Sequence, residues 1–376
     1  MIYCKICVQP NTRPNTYFTS KGICPACAYN LKSKKINWNK RLELLKGIIK
    51  KYKPKIINNY DKYDCIIGVS GGKDSTRQAL FIRDKLKLNP LLVSLVHPPQ
   101  TVTEIGTDNL SNLINLGFNV IVSGISPLTW QKLMRYGFLK DLNYRISTEF
   151  ALFSSVPRIA INYGIKLIFW GENPGLQLGD MKSTKRRGFD GNNLRYLNTM
   201  SGGTKWFEES KIKKNKLFPY YYPDPEEFKK NKLQIIYLGW FWKDWSIFNN
   251  GIIGLAEGMK HRKDDPINTG DVFGLQSLEE DWVHVNQMIK YYKYGFGRAT
   301  DYANSMIREG RISRIEGLKM VNRFDGKCSK KFISSFCNFI KISEKIFWKK
   351  IQSIVNKKLF YIKNGKIYKK FKVEYS

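Results

Sequence analysis

Long apolar runs are missing from this 376-residue chain: no stretch of eighteen or more apolar residues occurs, which excludes an ordinary bilayer-spanning helix. Stable membrane insertion is not expected. Acidic residues are scarce, 31 against 64 lysines and arginines, and a formal charge of +33 attracts nucleic acid, anionic membrane, nucleotides or an acidic protein. Lys, Asn, Ile and Tyr are all abundant, as codons rich in A and T would produce, so much of that charge can equally be solvated lysine surface. The N-terminus carries charge and cysteines where a signal peptide needs an apolar core, and a cytoplasmic protein is expected. Cysteine is sparse. Beyond the first four, only Cys65, Cys328 and Cys337 remain, and none has a glutaminase signature around it. Internal repeats and long linkers are absent.

What is present centres on Tyr63 to Ser75. Cys65 to Val69 is an apolar, β-branched run of strand length, Ser70-Gly71-Gly72 is a turn of small residues, and Asp74 onward reads as the first turn of a helix. Strand, glycine turn and helix N-terminus together make an anion site, because backbone N–H groups and the positive end of the helix dipole converge there. Gly-x-x-x-x-Gly-Lys-Ser/Thr and Gly-x-Gly-x-x-Gly are both lacking, so the site is neither a nucleoside-triphosphatase loop nor a dinucleotide fingerprint. Ser70-Gly-Gly-Lys-Asp-Ser75 resembles instead the pyrophosphate loop of the ATP pyrophosphatase superfamily, enzymes that cleave ATP between the α and β phosphates. That resemblance implies that Ser70, Gly71, Gly72 and Ser75 bind the departing pyrophosphate, that Lys73 adds charge, and that Asp74 is a candidate magnesium ligand.

Two Cys-x-x-Cys knuckles, Cys4 with Cys7 and Cys24 with Cys27, precede the loop, sixteen residues apart. Four thiolates at this spacing close a tetrahedral site, for which zinc is the usual cytosolic metal, and a structural zinc ribbon is expected. Ile36 to Tyr52 carries apolar residues at Trp38, Leu42, Leu45 and Ile49 and reads as an amphipathic helix, ended by Pro54 and Asn58-Asn59. After the loop come a helix over Thr76 to Leu86 and a strand over Leu91 to Val96, a right-handed βαβ unit, with His97 at the strand's carboxyl end. Helices are expected over Asn109 to Leu116, Pro127 to Leu139 and Ser154 to Tyr163, and strands over Asn119 to Val122 and Lys166 to Trp170.

The fourth strand runs into Gly171-Glu172-Asn173-Pro-Gly, which places a carboxylate and an amide at the ligand-binding edge of such a sheet. Glu172 can complete a magnesium shell or orient a nucleophile, and Asn173 can bond a phosphate or carbonyl; the same residues are also good turn chemistry. Among Trp240, Trp242 and Trp245, which can stack on a sugar or base, at least one is core, because they cannot share one face of a regular element. Helices are expected over Glu279 to Lys293 and Asp301 to Glu309. Arg298 and Arg308 are candidate clamps for a carboxylate or phosphate, or charges that satisfy helix ends. A helix around Glu344 to Asn356 and an Asn364-Gly365 hairpin close the chain.

Taken in order, Cys4-x-x-Cys7 with Thr12-Arg13-Pro14, the second knuckle, Asn37-Trp38, Ser70 to Ser75, Ile105-Gly106 with Asn109-Leu110, Phe169-Trp-Gly-Glu-Asn173, and Tyr294-Gly-Phe-Gly-Arg-Ala-Thr-Asp301 with Ile307-Arg308 resemble the N-acetyl sugar amidotransferases. These enzymes of lipopolysaccharide, O-antigen and pseudaminic or legionaminic acid synthesis turn an acetamido group into an acetamidino group. The resemblance implies an α/β parallel-sheet ATP pyrophosphatase core (36–187), an N-terminal zinc ribbon (1–35), an aromatic and basic substrate and partner region with helices (188–326) and a basic C-terminal helix and hairpin (327–376). It further implies ATP, magnesium and zinc as cofactors, with Lys73, Asp74, Glu172 and Asn173 catalytic and Gly171 beside the nucleotide. Trp240, Trp242, Arg298 and Arg308 would meet an acetamido sugar or nucleotide-sugar. A separate glutaminase subunit, with or without a cyclase-like subunit, would supply ammonia. The rival is a transfer-RNA thiolase or lysidine-type ligase, which shares the loop and would explain the charge. Thiolases need additional cysteines, so a nucleic-acid substrate is not expected.

Overall fold

The computed structural model describes residues 1–52, 63–171, 188–192 and 203–371. Five parallel strands form the central sheet in the order β3-β2-β1-β4-β5: β1 Cys65–Gly68, β2 Pro90–Val96, β3 Val120–Gly124, β4 Leu167–Trp170 and β5 Gln234–Tyr237. Apolar residues fill β1, β2 and β4, Ser94 of β2 excepted, because both faces of the sheet are covered. On one face Cys65, Ile67, Leu92, Phe169 and Ile236 pack against α2 (Trp38–Tyr52), α3 (Lys73–Leu80) and α4 (Glu104–Asn115). On the other, Ile66, Val93, Ile168 and Ile235 meet α6 (Arg145–Asn162) and helix Pro225–Lys230.

α1 (Pro25–Ser33) belongs to the N-terminal cysteine unit. A second, largely helical core joins α5 (Pro127–Asp141) and α6 to helices Val283–Tyr294, Lys330–Phe339 and Glu344–Ile354 around Phe138, Tyr144, Trp282, Phe336 and Phe347. The hairpin β6 (Phe360–Lys363) and β7 (Lys366–Lys369) follows, with Asn364 and Gly365 both at positive φ in its turn.

Several elements begin earlier than periodicity predicts. α4 starts at Glu104 because the Thr103 hydroxyl accepts the Gly106 N–H at 3.0 Å, an N-cap that fixes the boundary. α6 starts at Arg145 and contains Pro157, since burial of Ile146, Phe150 and Ala151 outweighs one lost backbone bond. Strand β5 lies in the aromatic stretch that gave no readable period, so the sheet draws on the chain beyond residue 187. Pro54 and Asn58-Asn59 fall outside the described residues.

Candidate active site at the carboxyl edge of the sheet

Strand order reverses between β1 and β4, which makes their carboxyl ends the crevice where an open α/β sheet binds its ligand. Ser70, Gly71 and Gly72 leave β1 there and enter α3. Gly71 has φ +76°, and a methyl at this position would lie 2.6 Å from the carbonyl carbon of Asn109, so the loop is pressed against the backbone of α4. Gly72 caps α3 without a side chain, which leaves the first-turn N–H groups to a ligand. Hydroxyls brace the loop from behind: Ser75 donates to the Gly72 carbonyl (3.0 Å) and Thr76 to the Gly71 carbonyl (3.2 Å).

Lys73 is buried, and its Nζ reaches Asp74 Oδ2 at 2.5 Å. The other carboxylate oxygen accepts Asn250 Nδ2 at 2.5 Å, and Asn250 Oδ1 accepts Arg77 at 2.7 Å. Arg77 also grips Asp244 through its carboxylate (2.8 Å) and carbonyl (3.1 Å) and lies 4.3 Å over the ring of Trp242. Helix Ile247–Ala256 thereby holds Asp74 in place, with Gly254 allowing it close to the Lys73 backbone. Sequence reasoning missed Asn250, Asp244 and Arg77. Arg77 at least carried a signal, one turn after Asp74 on the same helix.

Across the crevice Gly171 packs tightly: a methyl there would meet Trp245 at 3.0 Å and Gln78 Oε1 at 3.4 Å. Gln78 is buried, and among the described residues neither its Oε1 nor Trp245 Nε1 has a hydrogen-bond partner. Glu172 and Asn173 lie outside the described residues. Trp240 sits apart, 3.5 Å beneath the Arg41 guanidinium of α2 and edge-on to Phe189; Trp242 packs on Phe81 and Trp245. These rings join helices to the sheet.

At the end of β2, His97 Nδ1 lies 3.7 Å from Glu280, whose other oxygen pairs with Arg145. Both His97 and Glu280 are buried, and the His97 ring packs on Trp130. A groove of about 700 Å³ opens at this edge between Gln100, the start of α5 and helix Lys330–Phe339, with Gln131, Ser334 and Asn338 beside Trp282 and Phe339. Arg298 bonds Gln276 and Ser277 and faces His284, which burial and then Arg262 and Arg298 push down to about 3. Arg308 stands at the far end of the same helix, Arg298–Arg308, about 15 Å along its axis, and the two arginines do not converge.

The four cysteines meet as expected. Their sulfurs all lie within 4.8 Å of one another, buried, with the Cys24 N–H directed at Cys4 Sγ (3.2 Å) and the Cys27 N–H at Cys24 Sγ (3.5 Å). Such N–H···S bonds favour thiolates, and a buried all-sulfur tetrad suits a tetrahedral metal ion. The unit docks on helix Arg298–Arg308. The Val8 N–H donates to Asn304 (3.0 Å), Thr12 donates to the Tyr294 carbonyl (2.5 Å), Arg13 pairs with Asp301 over the Phe296 ring, and Ile307 packs beside the cysteines. Lys290 joins Asp301 from the other side at 2.9 Å. Burial opposes the Asp301 charge, yet Lys290 and Arg13 together hold its carboxyl well below the usual range. Thr12-Arg13 and Tyr294 to Asp301, two separate markers in the sequence, are one contact in the fold.

Residues 272–373 match the family model described as LPS biosynthesis protein WbpG-like, C-terminal domain, which bears out the resemblance to enzymes of the lipopolysaccharide type. An uncharacterized protein of Methanocaldococcus jannaschii is 33% identical over 91 residues, covering 24% of this chain and 31% of that protein. The chain thus spans under a third of the length of this curated relative. A solved tRNA thiolase, NcsA from Methanococcus maripaludis with its 4Fe–4S cluster, is 13% identical, covering 91% of this chain and 96% of that one at a TM-score of 0.25.

Proposed function

We propose that this chain is the synthase subunit of an ATP-dependent N-acetyl sugar amidotransferase. The observation that carries the reading is the glycine-capped N-terminus of α3 at the switch point of the sheet, with Lys73 and Asp74 fixed beside it. The WbpG-like match supports a role in surface-polysaccharide synthesis. In the proposed reaction the acetamido oxygen attacks the α-phosphorus of ATP and pyrophosphate leaves, giving an O-adenylyl imidate. Ammonia then adds to the imidate carbon, AMP departs, and loss of a proton yields the acetamidino group.

N–H groups of the first turn of α3, with the Ser70 hydroxyl, would hold the pyrophosphate oxygens while Ser75 braces the loop behind them, and the helix dipole would favour the charge that builds there. Asp74 would hold magnesium: each carboxylate oxygen has a lone pair beyond the bond it accepts from Lys73 or Asn250, and such bonds orient a metal-ligating carboxylate. The ion would neutralise phosphate charge. Zinc in the cysteine tetrad would be structural, since the tetrad packs on helix Arg298–Arg308 and leaves no coordination position open to substrate. Amides and aromatic faces in the groove beside Gln100 have the chemistry that holds a hexose.

Sulfur transfer is the poorer reading. Cys65 is buried in β1 among the apolar residues facing α2 and α3, while burial pushes the Cys328 and Cys337 thiols up to about 12, far from the thiolate a sulfur carrier needs. The test is AMP release by purified protein given ATP, magnesium, ammonium and an N-acetylated sugar substrate. Release that depends on both sugar and ammonium is expected; AMP no higher than in their absence would refute the proposal.

A further inference from the structure

The last elements of the fold carry an exposed face that the reaction above does not use. Pairing of Tyr361 with Tyr368 and of Lys363 with Lys366 puts these four side chains on one side of the hairpin, all exposed. The opposite side anchors it: Phe360 is buried between Tyr291, Tyr292 and Phe371, with ring centroids 5.2, 5.7 and 5.7 Å away. Gln352 of helix Glu344–Ile354 donates to the Gly365 carbonyl at 2.9 Å, holding the turn against that helix. Exposed Lys349 precedes Gln352 by three residues and shares its helix face, so it continues the surface beside the turn. From Lys345 to Phe371 the chain has nine lysines and no aspartate, glutamate or arginine.

We infer that this face docks on an anionic lipid surface. Tyrosine rings belong at the headgroup level of a bilayer, where the ring is half buried and the hydroxyl stays wet, and lysines around them reach the headgroup phosphates. Charge fixes the sign of the partner, and the exposed rings of Tyr361 and Tyr368 supply the apolar contact at the headgroup boundary. The face carries no arginine, the residue that most often reads base edges, so it offers nucleic acid only its lysine charge. Tyr361 and Tyr368 also stack on each other, 5.4 Å apart at 20°, which leaves no slot between them for a base. Among the described residues no helix is long and apolar enough to cross a membrane, so the association is peripheral. It would keep the chain at a membrane whether or not the proposed chemistry is right.

Sedimentation of the full chain with vesicles tests this. Binding is expected to phosphatidylcholine vesicles containing phosphatidylglycerol, weakening as salt rises, and not to phosphatidylcholine alone. Charge reversal at Lys363→Glu with Lys366→Glu should lower the partition coefficient by at least about tenfold. Tyr361→Ser with Tyr368→Ser should lower it several-fold at unchanged charge, with circular dichroism confirming the fold of each variant. Equal binding to neutral vesicles, or folded variants that bind like the parent, would overturn the inference. So would bulk transfer RNA binding that the same variants lose while the parent ignores both vesicle types.

Discussion

Asp74 carries its charge between a buried lysine and an amide, and that setting makes Asn250 a positioning residue rather than a bystander. Asn250→Ala removes a bond from Asp74 and one from Arg77 without touching the loop backbone. With Asp74 as the proposed magnesium ligand, turnover should fall about 10- to 100-fold, with the melting temperature changed little; pyrophosphate release at saturating ATP measures it. Gly71→Ala acts more bluntly, since its methyl would collide with the Asn109 backbone at a positive φ, and nucleotide-dependent protection should disappear. Asp325 gives a pH signature of its own. Burial raises its carboxyl to about 6 despite bonds from the Thr300 hydroxyl and N–H and the Gly297 N–H at the start of helix Arg298–Arg308. A raised acid stabilises the fold fully below its unfolded pKa and loses that contribution as pH climbs through the folded one. Between about pH 4 and 6 the parent should therefore lose about 2 kcal/mol relative to Asp325→Asn, read as the difference between their urea midpoints across pH.

Helix Arg298–Arg308 shows what an element can do that its motif does not disclose. Its sequence signature was legible, but the partner was not, because Arg13 and Asp301 stand 288 residues apart and no local pattern couples them. Strands were easier to read wherever burial on both faces produced apolar runs, as in Cys65–Gly68 and Pro90–Val96, the latter broken only by Ser94. Gln234–Tyr237 escaped notice because it is only four residues long and runs straight into Leu238 to Trp242, apolar residues that pack into the same core without joining the sheet. Within the site, the loop and the cysteines were legible from spacing alone; Asn250, Asp244 and Gln78 were not, since each acquires a role only through the fold. The docking contact yields its own prediction. Stripping the cysteine tetrad of metal with a strong chelator should raise amide exchange in Arg298–Arg308, and Asp301→Asn, which strands two partly buried cations, should cost about 3 kcal/mol. Exchange unaltered by metal removal would mean that the tetrad and the helix are independent.

At the scale of the whole molecule, the proposed reaction turns on where its nitrogen comes from. A glutaminase of the cysteine type needs an accessible thiolate beside a base, and this chain's thiols are all committed elsewhere. Four form the tetrad, Cys65 is sealed within the sheet, and burial disfavours the thiolate form of Cys328 and Cys337. His97, the histidine nearest the carboxyl edge, faces Glu280 and Trp130 rather than a cysteine. The purified chain should consequently use ammonium and not glutamine. With the sugar substrate and ATP, raising pH should increase the rate on ammonium as free ammonia rises, while glutamine alone should release no AMP above background. Addition of a glutaminase partner should restore glutamine-dependent turnover without altering the ammonium reaction at saturation. Glutamine use by the isolated chain would show that it hydrolyses the amide itself and would remove the need for a second subunit.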